Sequence, residues 1–306
     1  MSIYLVPIHF RSPRYLTFSH AHKHGDLIRE FLLENCYYAD YGGIDENGAD
    51  PGFEIETIPF ACYCDYTGDS PVVFPFHPCC YELLSRRITG GTDISKLNKT
   101  VLWNIMKELS PEGSNRLNLD YGEPCPPNEQ FWQSAAGEEI FAAKPTGGDK
   151  KFETLVRATI MGRKFQLLIG DTGRDQAMAG RTRHDVFKML PYDIVHHITE
   201  LLPISAVLRL CQASWVMNTL LRDDMEFWRR RIKRELLPWF YELAPLIDGP
   251  GPSRAARLDL KKVAAWAEKV SEPRLGKSGP FLALANRRRV WGVCDQLAEL
   301  YSERMS

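Results

Sequence analysis

His184 to Phe240 reads HDVFKMLPYDIVHHITELLPISAVLRLCQASWVMNTLLRDDMEFWRRRIKRELLPWF. The stretch divides into short helices, because apolar residues recur at helical spacing between prolines. Leu190-Pro191 opens the first, where proline is tolerated since the first helical N–H lacks an intrahelical partner, and Asp193 suits the positive end of the helix dipole. Ile194, Ile198, Leu201 and Leu202 fall at i, i+4, i+7 and i+8 and form one apolar face; Pro203 ends the helix. Ser205 is the expected N-cap of the next one, in which Val207, Leu208, Cys211 and Trp215 recur at helical spacing. Asp223 with Glu226 three residues on resembles a capping box. Met225, Trp228, Ile232 and Leu236 then line a further helix that Pro238 closes.

A segment this short has too little chain to cover its own apolar surface, since below roughly 70 to 80 residues one core supplies only a few kcal/mol. A partner is expected for the leftover face. The residues resemble the F-box: Leu190-Pro191, Asp193-Ile194, Ile198, Leu201, Leu202-Pro203, Ser214 and the aromatic pair Phe227-Trp228, over about residues 184–236. The pattern departs from the common one in its early Trp215 and its paired His196-His197. FPFHPCCYELL (Phe74 to Leu84), DYGEPCPPNEQFW (Asp120 to Trp132) and LANRRRVW (Leu284 to Trp291) look like segments that flank the F-box in many fungal F-box proteins.

This resemblance implies a substrate receptor of a Skp-cullin-F-box ubiquitin ligase, without catalytic residues or cofactor of its own. The F-box would hold the Skp-type adaptor, and through it a cullin, while another region holds an unknown protein target. The residues expected at the adaptor are Leu190, Pro191, Ile194, Ile198, Leu201, Leu202, Ile204 and Leu208. Since one helix shows a partner only about one stripe, some of these must be buried within the chain. Two alternatives belong to other classes: an F-box scaffold outside ubiquitin transfer, and a zinc-binding N-terminal module tethered by the F-box.

Composition bounds the remaining choices. With 306 residues and 44% hydrophobic content the chain is long enough for about two packed domains. A net charge of -1 gives no global attraction to nucleic acid or anionic lipid, so neither is expected as a partner. The opening MSIYLVPIHF lacks a basic n-region, and no run of 18 apolar residues occurs. An intracellular protein, cytoplasmic or nuclear, is expected, with its eight cysteines mostly reduced.

The expected fold class is α+β, mainly α: an N-terminal mixed domain over residues 1–169, a linker over 170–184, the F-box over 185–240 and a helical region over 241–306. Tyr4, Val6 and Ile8 suggest a strand, and Leu27, Ile28, Phe31 and Leu32 sit at helical spacing. His20, His22 and His24 beside a lysine read as solvated rather than metal-binding. Asn47-Gly48 and Pro51-Gly52 are turn signals, after which Phe53, Ile55, Val72, Phe74 and Phe76 fit short strands and Pro78 opens a helix through Leu84.

Cys62, Cys64, His77 and Cys80 form a candidate zinc set. Structural zinc usually takes Cys-x2-Cys, and the Cys-x-Cys here favours small buried side chains, so no metal is expected to be needed for folding. A Cys-His nucleophile among them lacks an identifiable orienting group.

Val101, Leu102, Ile105, Met106 and Leu109 predict a helix over 92–110, with Trp103 at the edge of its face. Residues 121–128 must be loop because their three prolines remove donors; Phe131, Trp132, Ile140 and Phe141 follow. Glu138-Glu139, being adjacent, do not face each other and read as solvated. Residues 152–169 recover an apolar pattern, and the glycines of 170–184 fit neither phosphate-loop spacing. Beyond the GPGPS break, with Ser253 a potential cap, Leu260, Val263, Ala264, Ala267 and Val270 line one helix. Val290, Cys294, Leu297, Ala298 and Tyr301 line another, both expected to pack on the F-box. The basic runs Arg229 to Arg231 with Lys233-Arg234, and Arg287 to Arg289, are expected on solvated faces.

Overall fold

The computed structural model describes residues 15–23, 27–38, 44–45, 61–62, 72–76, 78–109, 117, 141, 150–167, 185–248, 258–274 and 277–306. Among these, helix dominates. Two compact units divide the chain: residues 1–146, 273–279 and 286–306 form one, residues 147–272 and 280–285 the other.

In the first unit, β1 (Tyr15–Lys23), β2 (Leu27–Tyr38), β3 (Ile44–Asp45), β4 (Ala61–Cys62) and β5 (Val72–Phe76) make one sheet in the order β3-β2-β1-β5-β4. All neighbours are antiparallel except the β4–β5 pair. The helix suggested by Leu27, Ile28, Phe31 and Leu32 is therefore a strand. A short apolar run satisfies both periods, and pairing with β1 from Lys23↔Leu27 to Tyr15↔Cys36 decides it.

Helix α1 (Pro78–Thr89) begins at the proline, as expected, and Gly90, at φ 76, follows it with its N–H on the Arg86 carbonyl at 3.1 Å. That left-handed angle costs glycine nothing. Helix α2 (Lys99–Leu109) buries Leu102, Ile105 and Met106 and carries Lys107 over the Trp103 ring at 5.0 Å. Helix α10 (Leu282–Met305) supplies Val290, Cys294, Leu297, Ala298 and Tyr301 to the core. From residue 286 onward α10 belongs to this unit, where Arg87 pairs with Asp295, Arg304 with Glu108, and Tyr301 Oη accepts the Asn98 N–H at 2.8 Å.

The second unit contains α3 (Lys150–Ile160), α4 (Tyr192–Leu201), α5 (Ile204–Ala213), α6 (Trp215–Arg222), α7 (Met225–Arg231), a π turn (Ile232–Leu236), α8 (Ala244–Ile247) and α9 (Leu260–Ser271). Phe152, Phe165, Trp266, Phe240 and Phe281 form a chain of ring contacts in its core. Phe227 and Trp228 are fully buried edge to face at 5.2 Å, and Trp228 Nε1 donates to the Leu221 carbonyl at 2.6 Å.

The expected domain limits shift accordingly. Residues 150–167 belong with the 185–248 helices rather than with the N-terminal region, and α10 from residue 286 onward belongs to the first unit. The faces were legible, but not which unit would cover them. The basic runs also need correction: Arg231 and Arg287 are fully buried and Arg289 nearly so, while Arg230, Lys233 and Arg234 are exposed. Arg289 donates to Asn286 Oδ1 at 2.6 Å, which helps offset its desolvation.

The turn signals at Asn47-Gly48 and Pro51-Gly52, the expected strands at Tyr4, Val6, Ile8, Phe53 and Ile55, and His24, Cys64 and His77 lie outside the described residues. So do the 121–128 loop, Phe131, Trp132, Glu138-Glu139, Ile140, the 170–184 linker and the Ser253 cap. Helix α9 itself is capped by Asp259, whose carboxylate accepts the Lys262 N–H at 3.0 Å.

Candidate protein-docking face

Pro191 is the N-cap of α4, so the helix starts one residue later than the Leu190-Pro191 signal suggests, with Asp193 in its first turn. At 3.6 residues per turn, Ile194, His197, Ile198 and Leu201 share one side of α4. Val195, Thr199 and Leu202 lie on another. The two sides differ in burial: Val195 and Thr199 are inaccessible and Leu202 is half-buried, whereas Ile194 is 48% exposed, Leu201 74%, and Ile198 between them half-buried. The Thr199 hydroxyl is satisfied within the helix, donating to the His196 carbonyl at 2.8 Å.

Ahead of α4 in the chain, Leu190 is 37% exposed and Met189, the last residue of the short 3₁₀ turn Val186–Met189, 85% exposed. Val186, also exposed, belongs to the same turn. Met189 and Val186 were not among the residues expected at the adaptor, although the preceding VFKM is visibly apolar. Of the eight that were, Leu190, Pro191, Ile194 and Leu201 are exposed, and Ile198 and Leu202 are half-buried. Ile204 and Leu208 are buried in the core of the unit and offer no surface to a partner. They sit on the inward side of α5, against which α6 and α9 pack.

Side chains of α7 and the π turn hold the back of this surface. His196 lies edge-on between the Tyr192 and Phe227 rings, each at 6.0 Å, with its Nε2 3.3 Å from Arg230 Nη2. Tyr192 Oη donates to Asp224 Oδ2 at 3.4 Å; burial first, and then Asp224, raise the phenol above its ordinary value. Glu200 receives Arg234 at 3.0 Å, with Arg230 and Arg231 just under 4 Å away.

The caps differ in detail from the spacing signals. Pro203, not Ser205, is the N-cap of α5, and its side chain caps nothing; the Glu235 carboxylate accepts the Ile204 N–H at 2.6 Å instead. Trp215 does not continue α5. Ser214 ends α5 and caps α6, accepting from the Met217 N–H at 3.1 Å and donating to Asp185 Oδ2 at 2.8 Å. Asp185 Oδ2 also accepts from Val216 N–H at 3.1 Å, and Asp185 caps the 3₁₀ turn through Phe187. Desolvation pushes the Asp185 carboxyl up, but the bonds from Ser214, Val216, Phe187 and Trp215 outweigh it and hold the group below the usual carboxylate range. Asp224, one residue later than expected, caps α7.

For the cysteines, burial pushes the Cys80 thiol up to about 12, with Cys79 adding to the rise, and Cys294 lies well above its ordinary value for the same first cause. Both shifts disfavour the thiolate, which is the nucleophilic form of cysteine. Among the described residues no three ligating side chains come together, and no helix is long and apolar enough to cross a membrane. No family model, curated protein or solved structure matches the chain.

Proposed function

We propose that the chain is the substrate-receptor subunit of a Skp-cullin-F-box ubiquitin ligase and that the outer face of α4 docks the Skp-type adaptor. One observation carries the reading. On the apolar stripe Ile194–Ile198–Leu201, which a self-contained bundle would turn inward, Ile194 and Leu201 are exposed and Ile198 is only half-buried, and the stripe follows exposed Leu190 and Met189 in sequence. Exposed apolar side chains in groups mark interaction surfaces, and Leu190, Ile194 and Leu201 stand at the F-box positions named above.

Such a subunit performs no bond chemistry. Holding the adaptor on one surface and a target on another raises the effective concentration of target lysines near the ubiquitin-conjugating enzyme. The test is co-expression of the full chain with a Skp-type adaptor, followed by size exclusion and cullin capture. Co-elution with the adaptor and recovery of cullin are expected. Adaptor without cullin would point to a scaffold outside ubiquitin transfer, and failure to co-elute would overturn the reading.

A further inference from the structure

Leu201 is the last residue of α4 and among the most exposed apolar side chains of the second unit. The carbonyls on either side of it, those of Glu200 and Leu202, accept hydrogen bonds from a single guanidinium, that of fully buried Arg231; the Glu200 bond is 3.3 Å. The last carbonyls of a helix have no intrahelical partner, and the common remedy is a left-handed glycine after the helix. None is present here: Leu202 is extended, at φ -92 and ψ 147, and Pro203 follows.

The anion beside Arg231 completes the arrangement. Glu235 Oε1 lies 2.9 Å from Arg231 Nη2, while Glu235 Oε2 takes the Ile204 N–H that Pro203 leaves uncapped. Base and acid of one pair thus hold the end of α4 and the start of α5. Between them the chain is wound as a π turn, closed by Leu237 N–H on the Ile232 carbonyl at 2.9 Å. Such wide turns in otherwise α-helical segments are rare and often accompany function.

We propose that Arg231 is a positioning residue for the docking face: by gripping the carbonyls on both sides of Leu201 and pairing with Glu235, it fixes the α4–α5 corner so that Leu201 stands toward the partner. This rests on the docking role proposed above. In this role Arg231 acts on the adaptor by way of Leu201 rather than by contact, and that dependence separates it from a buried ion pair that merely stabilises the fold.

Arg231→Lys tests this, because an ammonium keeps the charge but lacks the planar fork that spans two carbonyls. In the full chain, Arg231→Lys is expected to weaken binding of a Skp-type adaptor about tenfold, yet less than about twofold when Leu201 is already alanine, the non-additivity of coupled residues. Equal losses in both backgrounds would overturn the proposal. Glu235→Gln, which keeps an acceptor for Ile204, is the milder second variant and should show the same dependence on Leu201. Amide exchange on the chain alone supplies an independent arm, with faster exchange expected at Leu202 and Ile204 in Arg231→Lys. If wild type binds no adaptor, the docking role fails, and unchanged exchange at those amides overturns the clamp separately.

Discussion

Helix α4 and the α7–π turn segment treat their side chains in opposite ways. Helix α4 leaves Ile194 and Leu201 in solvent and buries Thr199, whereas α7 keeps Glu226 outside and takes Arg231 wholly inside. Residue class alone would have reversed the placement of Ile194, Leu201, Thr199 and Arg231. A guanidinium goes inside when carbonyls and a carboxylate replace its water, as those of Glu200, Leu202 and Glu235 do here. Leucine stays outside when nothing in its own unit covers it. The contrast therefore separates what holds the second unit together from what it leaves exposed, and substitutions on the two sides should fail in different assays.

The largest effect is expected on the inner side. Trp228→Ala removes a fully buried ring whose Nε1 donates to the Leu221 carbonyl, and chemical denaturation should show a loss of about 3–5 kcal/mol. A loss below about 1 kcal/mol would mean that the inner side is not the core. On the outer side, Leu190→Ala combined with Pro191→Ala should leave circular dichroism intact yet weaken adaptor binding by on the order of 2 kcal/mol, the size expected of desolvated hot-spot residues. An unfolded double variant would move this corner to the inner side.

Asp185 ties the two sides together through Ser214 and Val216. Its carboxyl is held below the ordinary range in the folded protein, so its contribution is present above the unfolded value and is lost as pH falls through the folded one. Asp185→Asn should cost about 1 kcal/mol at neutral pH, as for a lost cap, and should flatten the acid limb of stability against pH. An unchanged acid limb would remove Asp185 from that role. The smallest effect is expected for Arg230→Glu on the exposed edge of α7, which should alter adaptor affinity by well under about 1 kcal/mol. Arg231 cannot serve in such a control, because it is buried.

Local signals made much of the second unit legible. Pro191, Pro203 and Pro238 mark chain breaks whose physical cause is a missing donor and a fixed φ, and the 3.6-residue period placed the faces of α2, α9 and α10. What escaped depended on distant partners. Leu27 to Leu32 reads as helix until β1 supplies the ladder. Arg231 reads as solvated until the carbonyls of Glu200 and Leu202, far back in the chain, are brought to it. Of the residues expected at the adaptor, the exposed Leu-Pro opening and Ile194 stood out by spacing, but the burial of Ile204 and Leu208 required α6 and α9 to be laid against α5.

The central claim is that the outward stripe of α4 is a docking surface for a Skp-type adaptor. Titration calorimetry of the adaptor into the full chain and into its Ile194→Ala, Leu201→Ala variant tests it most directly. The account predicts measurable binding by wild type, a loss of at least about tenfold in the variant, and thermal stability within about 0.5 kcal/mol of wild type, as for surface positions. Equal affinity for both proteins, with both folded, would contradict it.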